Sequence, residues 1–172
     1  MNIPELLAPV GSSEHLKTAI LSGASSIYLS GEEFGARKYA ENFNLAEIRE
    51  AVKYAHFYNV KVYVTVNILI KEHEMKKVSE YVLELYKMGV DAVLVQDIGL
   101  VKIIHENIPD LPVHASTQMN IHNIEGIDWA YRHGIKRIVL PRETKLNELK
   151  ELVNHAHSLN MEVEIFTHGA LC

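Results

Sequence analysis

Glu164 is a carboxylate set inside an apolar run, alternating with Val163 and Ile165. Turned into the fold, it would act as a base with a raised pKa or as the ion-pair partner of Arg142 or Arg37. The sequence leaves these two readings equal. His114 is a general base or a structural histidine with its hydrogen bonds satisfied. Arg37 and Arg142 carry the planar, bidentate donors that clamp an anionic ligand, unless Glu32, Glu33 or Glu143 holds them in salt bridges at the surface. Asn67, Gln96, Asp97, Ser116 and Gln118 add the amides, hydroxyl and carboxylate that orient a hydrogen-bonding ligand. Glu164, His114 and Arg142 therefore make the catalytic set, and Arg37, Asn67, Gln96, Asp97, Ser116 and Gln118 the substrate-binding set.

These residues share a position, because each closes or follows a short run rich in Val, Ile, Leu and Tyr. The runs are 5–8, 26–30, 61–67, 92–96, 112–115, 137–140 and 162–166, which read as strands with starts about 20 to 35 residues apart, the pitch of a βα unit. Stretches of helical period separate them. Ser13 starts a helix that ends at Gly23, Asn44 caps one over 45–58, and others cover 73–88, 99–107, 124–133 and 145–159. Strict alternation of strand and helix demands a parallel sheet covered by helices. The first turn, Ala8-Pro9-Val10-Gly11-Ser12, lacks GxGxxG, which disfavours a dinucleotide fold. A TIM-type (β/α)₈ barrel remains, incomplete, with about seven strands and six helices. Such a barrel typically takes about 250 residues and keeps its chemistry at the C-terminal ends of the strands, where the polar residues gather. A single rim residue is polar simply because it meets water. Thr65, Gln96 and Glu164 lie among apolar neighbours, where a polar group needs a partner or a purpose, so the set reads as a site.

Composition removes other classes. The chain has 172 residues, 48% apolar and 23% charged, with a formal charge of -5 and one cysteine. That balance fits an ordinary globular protein of a reducing cytoplasm, gives no disulfide framework, and does not favour nucleic-acid binding by this portion alone. No apolar run reaches the roughly 18 residues of a membrane span, and no signal-peptide pattern opens the chain. No linker divides it. His73-Glu74 begins like HExxH without the second histidine, and no GxSxG elbow is present. His168 and Cys172 are the one soft-ligand pair, and two ligands do not make a zinc site.

Several segments together resemble the collagenase-like peptidase family, the unassigned-mechanism family numbered thirty-two. They are Glu5-Leu6-Leu7-Ala8-Pro9-Val10-Gly11, Phe34-Gly35-Ala36-Arg37 with Asn42-Phe43, Val93-Leu94-Val95-Gln96-Asp97, His114-Ala115-Ser116-Thr117-Gln118-Met119, Leu140-Pro141-Arg142-Glu143, and the run from Glu164 to Cys172. The last is the most specific and is similar to the front half of the family signature. The resemblance implies the N-terminal part of a barrel protein and two activities: iron–sulfur-dependent hydroxylation of tRNA or rRNA, with RNA as partner, or peptidase action on a peptide. It further implies Cys172 as the first ligand of a [4Fe–4S] cluster in a longer protein. A cluster of that kind takes four thiolates, so the expectation for these residues alone is no bound cofactor. An inactive truncated barrel is the third reading. Strands one and seven, without an eighth between them, would be open edges that invite self-association.

Overall fold

The computed structural model describes residues 3–36 and 42–168. Strands and helices alternate as β1 (Leu7–Val10), α1 (Ser13–Leu21), β2 (Ser26–Ser30), α2 (Leu45–Phe57), β3 (Lys61–Val66), α3 (Met75–Lys87), β4 (Ala92–Val95), α4 (Ile98–Asn107), β5 (Val113–Ala115), α5 (Ile124–Arg132), β6 (Arg137–Val139), α6 (Leu146–Ser158) and β7 (Glu162–Glu164). Strand order follows chain order. Among the described residues, seven strands and six helices in this plan make a TIM-type (β/α) barrel fold, incomplete, as expected from the sequence. Contacts divide the chain into two compact units, Met1–Leu94 and Val95–Cys172.

Local chemistry fixes the element ends. The first strand starts two residues later than its apolar run suggests, because the Leu6 N–H donates to the Ser25 hydroxyl at 2.8 Å and the ladder opens at Leu7 with Ser26. Ser12, not Ser13, caps α1, taking the His15 N–H at 3.3 Å. Asn44 caps α2 as expected. Its Oδ1 accepts from the N–H groups of Ala46 and Glu47, and Glu47 reaches back to the Asn44 N–H at 2.9 Å, a capping box that satisfies both ends of the exchange. The third helix opens as a 3₁₀ turn over Glu72–Glu74 before α3 proper. Gly89 takes φ +84° just past α3, a left-handed residue in the position that ends a helix.

In the first unit, register decides which side chains meet helices. Ala8, Ile27 and Val62 align across β1, β2 and β3, as do Val10, Leu29 and Val64. This apolar face meets the helices. A Cβ added to Gly31, two residues beyond Leu29, would lie 3.5 Å from Ile48 of α2 and 2.0 Å from the Tyr81 hydroxyl of α3. The other face carries Ser26 beside Lys61, Tyr28 beside Tyr63 and Ser30 beside Thr65. Glu5 organises its lower end, accepting from the Ser26 hydroxyl at 2.9 Å and the Tyr63 hydroxyl at 2.8 Å.

The second unit repeats the scheme. Ala115, Ile138 and Val163 align on one face, and His114, Arg137 and Glu162 on the other. Val139 aligns with Glu164. Both rows follow from the two-residue period of a strand.

Ile48 is fully buried on the α2 face that meets β2. Ile48→Ala is expected to lower unfolding stability by about 2–5 kcal/mol, and Asn44→Ala by about 1 kcal/mol, read by urea unfolding. A pair of variants as stable as the parent would show that α2 is not anchored by its cap and its buried stripe.

Candidate functional site

In the second unit, the polar face of β5, β6 and β7 brings together residues distant in sequence. His114 is 4% exposed and Arg137 6%. Arg137 stands between two carboxylates. Its Nε donates to Glu162 Oε2 at 2.8 Å, and its Nη1 lies 3.8 Å from Glu164 Oε2. The ion-pair partner of Glu164 seen among the described residues is thus Arg137. The cause is register: Arg137 is level with Glu162, and Glu164 is one step further along the same face. Arg37 lies outside the described residues, as does Cys172. Sequence reasoning passed over Arg137, although offsetting the runs 137–140 and 162–166 places it beside two acids.

Arg142 does something different. The backbone N–H of Leu140 donates to the Glu164 carbonyl at 3.0 Å, which carries the β6–β7 register past the strand ends. Two residues on from each lie Arg142 and Phe166. The Arg142 guanidinium sits over the Phe166 ring, 4.0 Å from its centroid, a cation–π contact. A tight turn, closed by the Thr144 N–H donating to the Pro141 carbonyl at 3.1 Å, presents Arg142 there. Arg142 Nε and Thr144 Oγ1 are both buried without a hydrogen-bond partner, each an omission of about 1–3 kcal/mol in an ordinary interior. Arg142 has no ion-pair partner among the described residues; Glu143 beside it is exposed.

The remaining predicted residues of this unit have local roles. Asp97 caps α4, accepting the Leu100 N–H at 3.0 Å. Ser116 is buried at the exit of β5 and accepts the Gln118 N–H at 3.3 Å, capping a 3₁₀ turn over Thr117–Met119. Gln118 is exposed and Gln96 half-buried.

In the first unit, Asn67 is spent on the chain itself. Its Oδ1 accepts the Ala36 N–H at 3.1 Å and fixes the loop just before Arg37. Gly35 is required there, because a Cβ would lie 2.0 Å from the Ser30 hydroxyl. Thr65 is buried at the top of β3, on the same face. A separate surface hollow of about 390 Å³ is lined by Glu32, Glu33, Phe43, Lys77 and Tyr81 among others. Two of its acids pair with lysines, Glu33 with Lys77 at 2.6 Å and Glu84 with Lys87 at 2.8 Å, the latter holding the exposed Glu84 carboxyl below its usual range. It contains none of the predicted site residues. At its base the Tyr81 hydroxyl is buried without a partner, and burial first, then the charges of Glu33 and Glu32, push its ionisation well above the ordinary phenol range.

Three measurements follow from these placements. Arg137→Ala leaves Glu164 beside an emptied partner and is expected to cost about 2–3 kcal/mol in urea unfolding; a cost below about 0.5 kcal/mol would equate the pair with a surface salt bridge. Tyr81→Phe is expected to be neutral or stabilising by up to about 1 kcal/mol, since it removes an unpaired buried hydroxyl. The pH dependence has a definite sign. Folded Tyr81 keeps its proton where the unfolded phenol, with its ordinary value of 10.0, loses it. Its contribution is complete below that value and is lost as pH rises toward the raised one. The parent should therefore lose stability above that value more steeply than Tyr81→Phe; equal slopes would contradict the placement.

The fold and this geometry can be set beside known proteins. The profile of Peptidase family U32 matches residues 11–172. The chain is 36% identical over 169 residues to tRNA hydroxylation protein P1 of Bacillus subtilis, covering 98% of this chain and 39% of that protein. It is 37% identical over 168 residues to the 23S rRNA 5-hydroxycytidine C2501 synthase of Escherichia coli, covering 98% and 25%, and 39% identical over 174 residues to an uncharacterized protease of Methanocaldococcus jannaschii, covering 100% and 42%. This chain thus spans well under half of these relatives. The solved structure of a U32 peptidase superposes with a TM-score of 0.73 at 19% identity, over 95% of this chain and 67% of that one. A glycerophosphodiester phosphodiesterase from Parabacteroides distasonis superposes at 0.68 with 10% identity, over 96% and 85%; at such identities the likeness speaks for the fold. The profile match across nearly all of the sequence, together with relatives above 30% identity over its whole length, places this chain in peptidase family U32.

Proposed function

We propose that this chain is the barrel portion of a protein that hydroxylates a pyrimidine of tRNA or rRNA in the cytoplasm. The observation that carries the reading is the likeness, above 30% identity along essentially the whole chain, to proteins named for tRNA hydroxylation and for 5-hydroxycytidine synthesis in rRNA. The site geometry supports it. The described residues offer binding and orienting groups: a guanidinium on an aromatic ring, a buried histidine, and a carboxylate beside a buried arginine. Among the described residues no group of three or more His, Cys, Asp or Glu is placed to hold a metal ion, and no helix is long and apolar enough to cross a membrane.

An iron–sulfur cluster does not fit these residues by themselves. Four thiolates hold such a cluster, and the sequence has one cysteine. The part assigned to this chain is therefore recognition. Arg142 takes an anionic group of the RNA, and His114 with Glu164 lines the face on which the pyrimidine is oriented, Arg137 holding Glu164 in place.

Deleting the gene in its source organism and digesting total tRNA and rRNA to nucleosides for mass spectrometry decides the matter. The expected result is loss of a hydroxylated uridine or cytidine, restored by the intact gene. An unchanged nucleoside profile would overturn the proposal.

A further inference from the structure

Arg142 is an unusual cation for this sequence. Acidic residues outnumber basic ones, 22 to 17, yet no described carboxylate pairs with it. What holds it is the Phe166 ring. Its Nε is shut away from water without an acceptor, so stacking rather than hydrogen bonding orients the side chain. Its terminal nitrogens also donate to no described residue, but they are not among the buried unpartnered atoms, so they reach solvent. Phe166 itself is 36% exposed, although one face of the ring is covered by the guanidinium. The two side chains come from adjacent strand exits tied by the Leu140–Glu164 hydrogen bond, and the turn closed between Pro141 and Thr144 sets Arg142 in place.

This is a preorganised surface with two offers: planar N–H donors for an oxyanion, and open aromatic carbon for a flat ring. A single nucleotide accepts both. Single-stranded RNA is held in this way, with unstacked bases on aromatic or guanidinium planes and phosphates on arginine. We propose that Arg142 and Phe166 form a seat for one nucleotide of single-stranded RNA, the Arg142 terminal nitrogens taking its phosphate and the exposed part of the Phe166 ring taking its base. The proposal rests on the RNA reading above and assigns the contact to two residues, one of which, Phe166, lies outside the predicted catalytic and substrate-binding sets.

The test uses the 172-residue chain and two labelled probes at low salt, an oligouridylate and an abasic phosphodiester oligomer of equal length, read by fluorescence anisotropy. Arg142→Ala should weaken both probes by on the order of ten-fold, and Arg142→Lys, which keeps the charge but not the planar stack, should fall between. Phe166→Ala should weaken the oligouridylate by about 5- to 100-fold and the abasic probe by clearly less, since it removes the base stack outright while only releasing Arg142 from its ring. Phe166→Tyr, which keeps the ring, should bind like the parent and guards against a folding defect in Phe166→Ala. If the parent binds and the alanine variants bind equally well, the seat is wrong while the RNA reading stands. If the parent binds neither probe, the seat is overturned, and the nucleoside profile of the deletion strain still decides the RNA reading separately.

Discussion

Every strand in this fold has two faces and only one set of helices to cover them. On β2 and β3 the covered face is filled by Ile27, Leu29, Val62 and Val64, all essentially without exposure. The opposite face must satisfy itself. In most barrels branched apolar residues fill that space in layers. Here the same positions are Ser26, Ser30, Tyr63 and Thr65 in one unit, and His114, Arg137 and Glu164 in the other. A buried polar group without a partner is costly, and carboxylates answer several of the donors on these faces. Glu5 gathers two hydroxyls; Arg137 gathers two carboxylates. These pairs tie neighbouring strands to each other and so help position the strand exits.

The exits then divide into residues spent on the scaffold and residues left over. Asn67, Asp97 and Ser116 each accept a backbone N–H and so shape a loop or start a helix. Arg142 accepts nothing and donates to nothing described; it lies on a ring instead. A cation fixed by stacking keeps its hydrogen-bonding capacity for a ligand, at the cost of an unmet Nε donor. Local unmet capacity of this kind at a strand exit, rather than net charge, would reconcile an acidic sequence with the anionic partner proposed above. A nucleic-acid contact needs a positive groove where the phosphates run, not a positive total.

The sequence made the scaffold legible, since period-2 apolar runs and capped helices are dictated by neighbours within a few residues. The strand and helix ends differ from expectation by one or two positions, where a hydrogen bond such as Leu6 to Ser25 starts the ladder late. The site was legible as a list and not as a network. Arg142 and Glu164 were visible from their settings, but a pairing between them was an open choice, and register gave Glu164 to Arg137 and Arg142 to Phe166. Register is a long-range quantity. It depends on how successive units stack, so the partner of a strand residue emerges only when two distant runs are offset against each other, as 137–140 and 162–166 are here. Tyr81 was hidden for a related reason. A tyrosine on a helical stripe reads as core, and only its approach to Gly31 shows that the hydroxyl has nowhere to donate.

The same distinction bears on what likeness can carry. A phosphodiesterase and a U32 peptidase share this backbone at low identity, and their chemistries need have nothing in common, because the alternation of strand and helix is set by covered apolar faces that many sequences supply. Relatives named for RNA hydroxylation share a far larger fraction of side chains over the same stretch. The covered face is met by branched apolar residues of many kinds, so it carries little of what distinguishes one such protein from another. What separates one barrel from another is therefore the face away from the helices and the few residues beyond each strand, where His114, Arg137, Arg142, Glu164 and Phe166 stand. On the reading proposed above, the stacked arginine left without an ion-pair partner puts the specificity of this chain at the β6 and β7 exits.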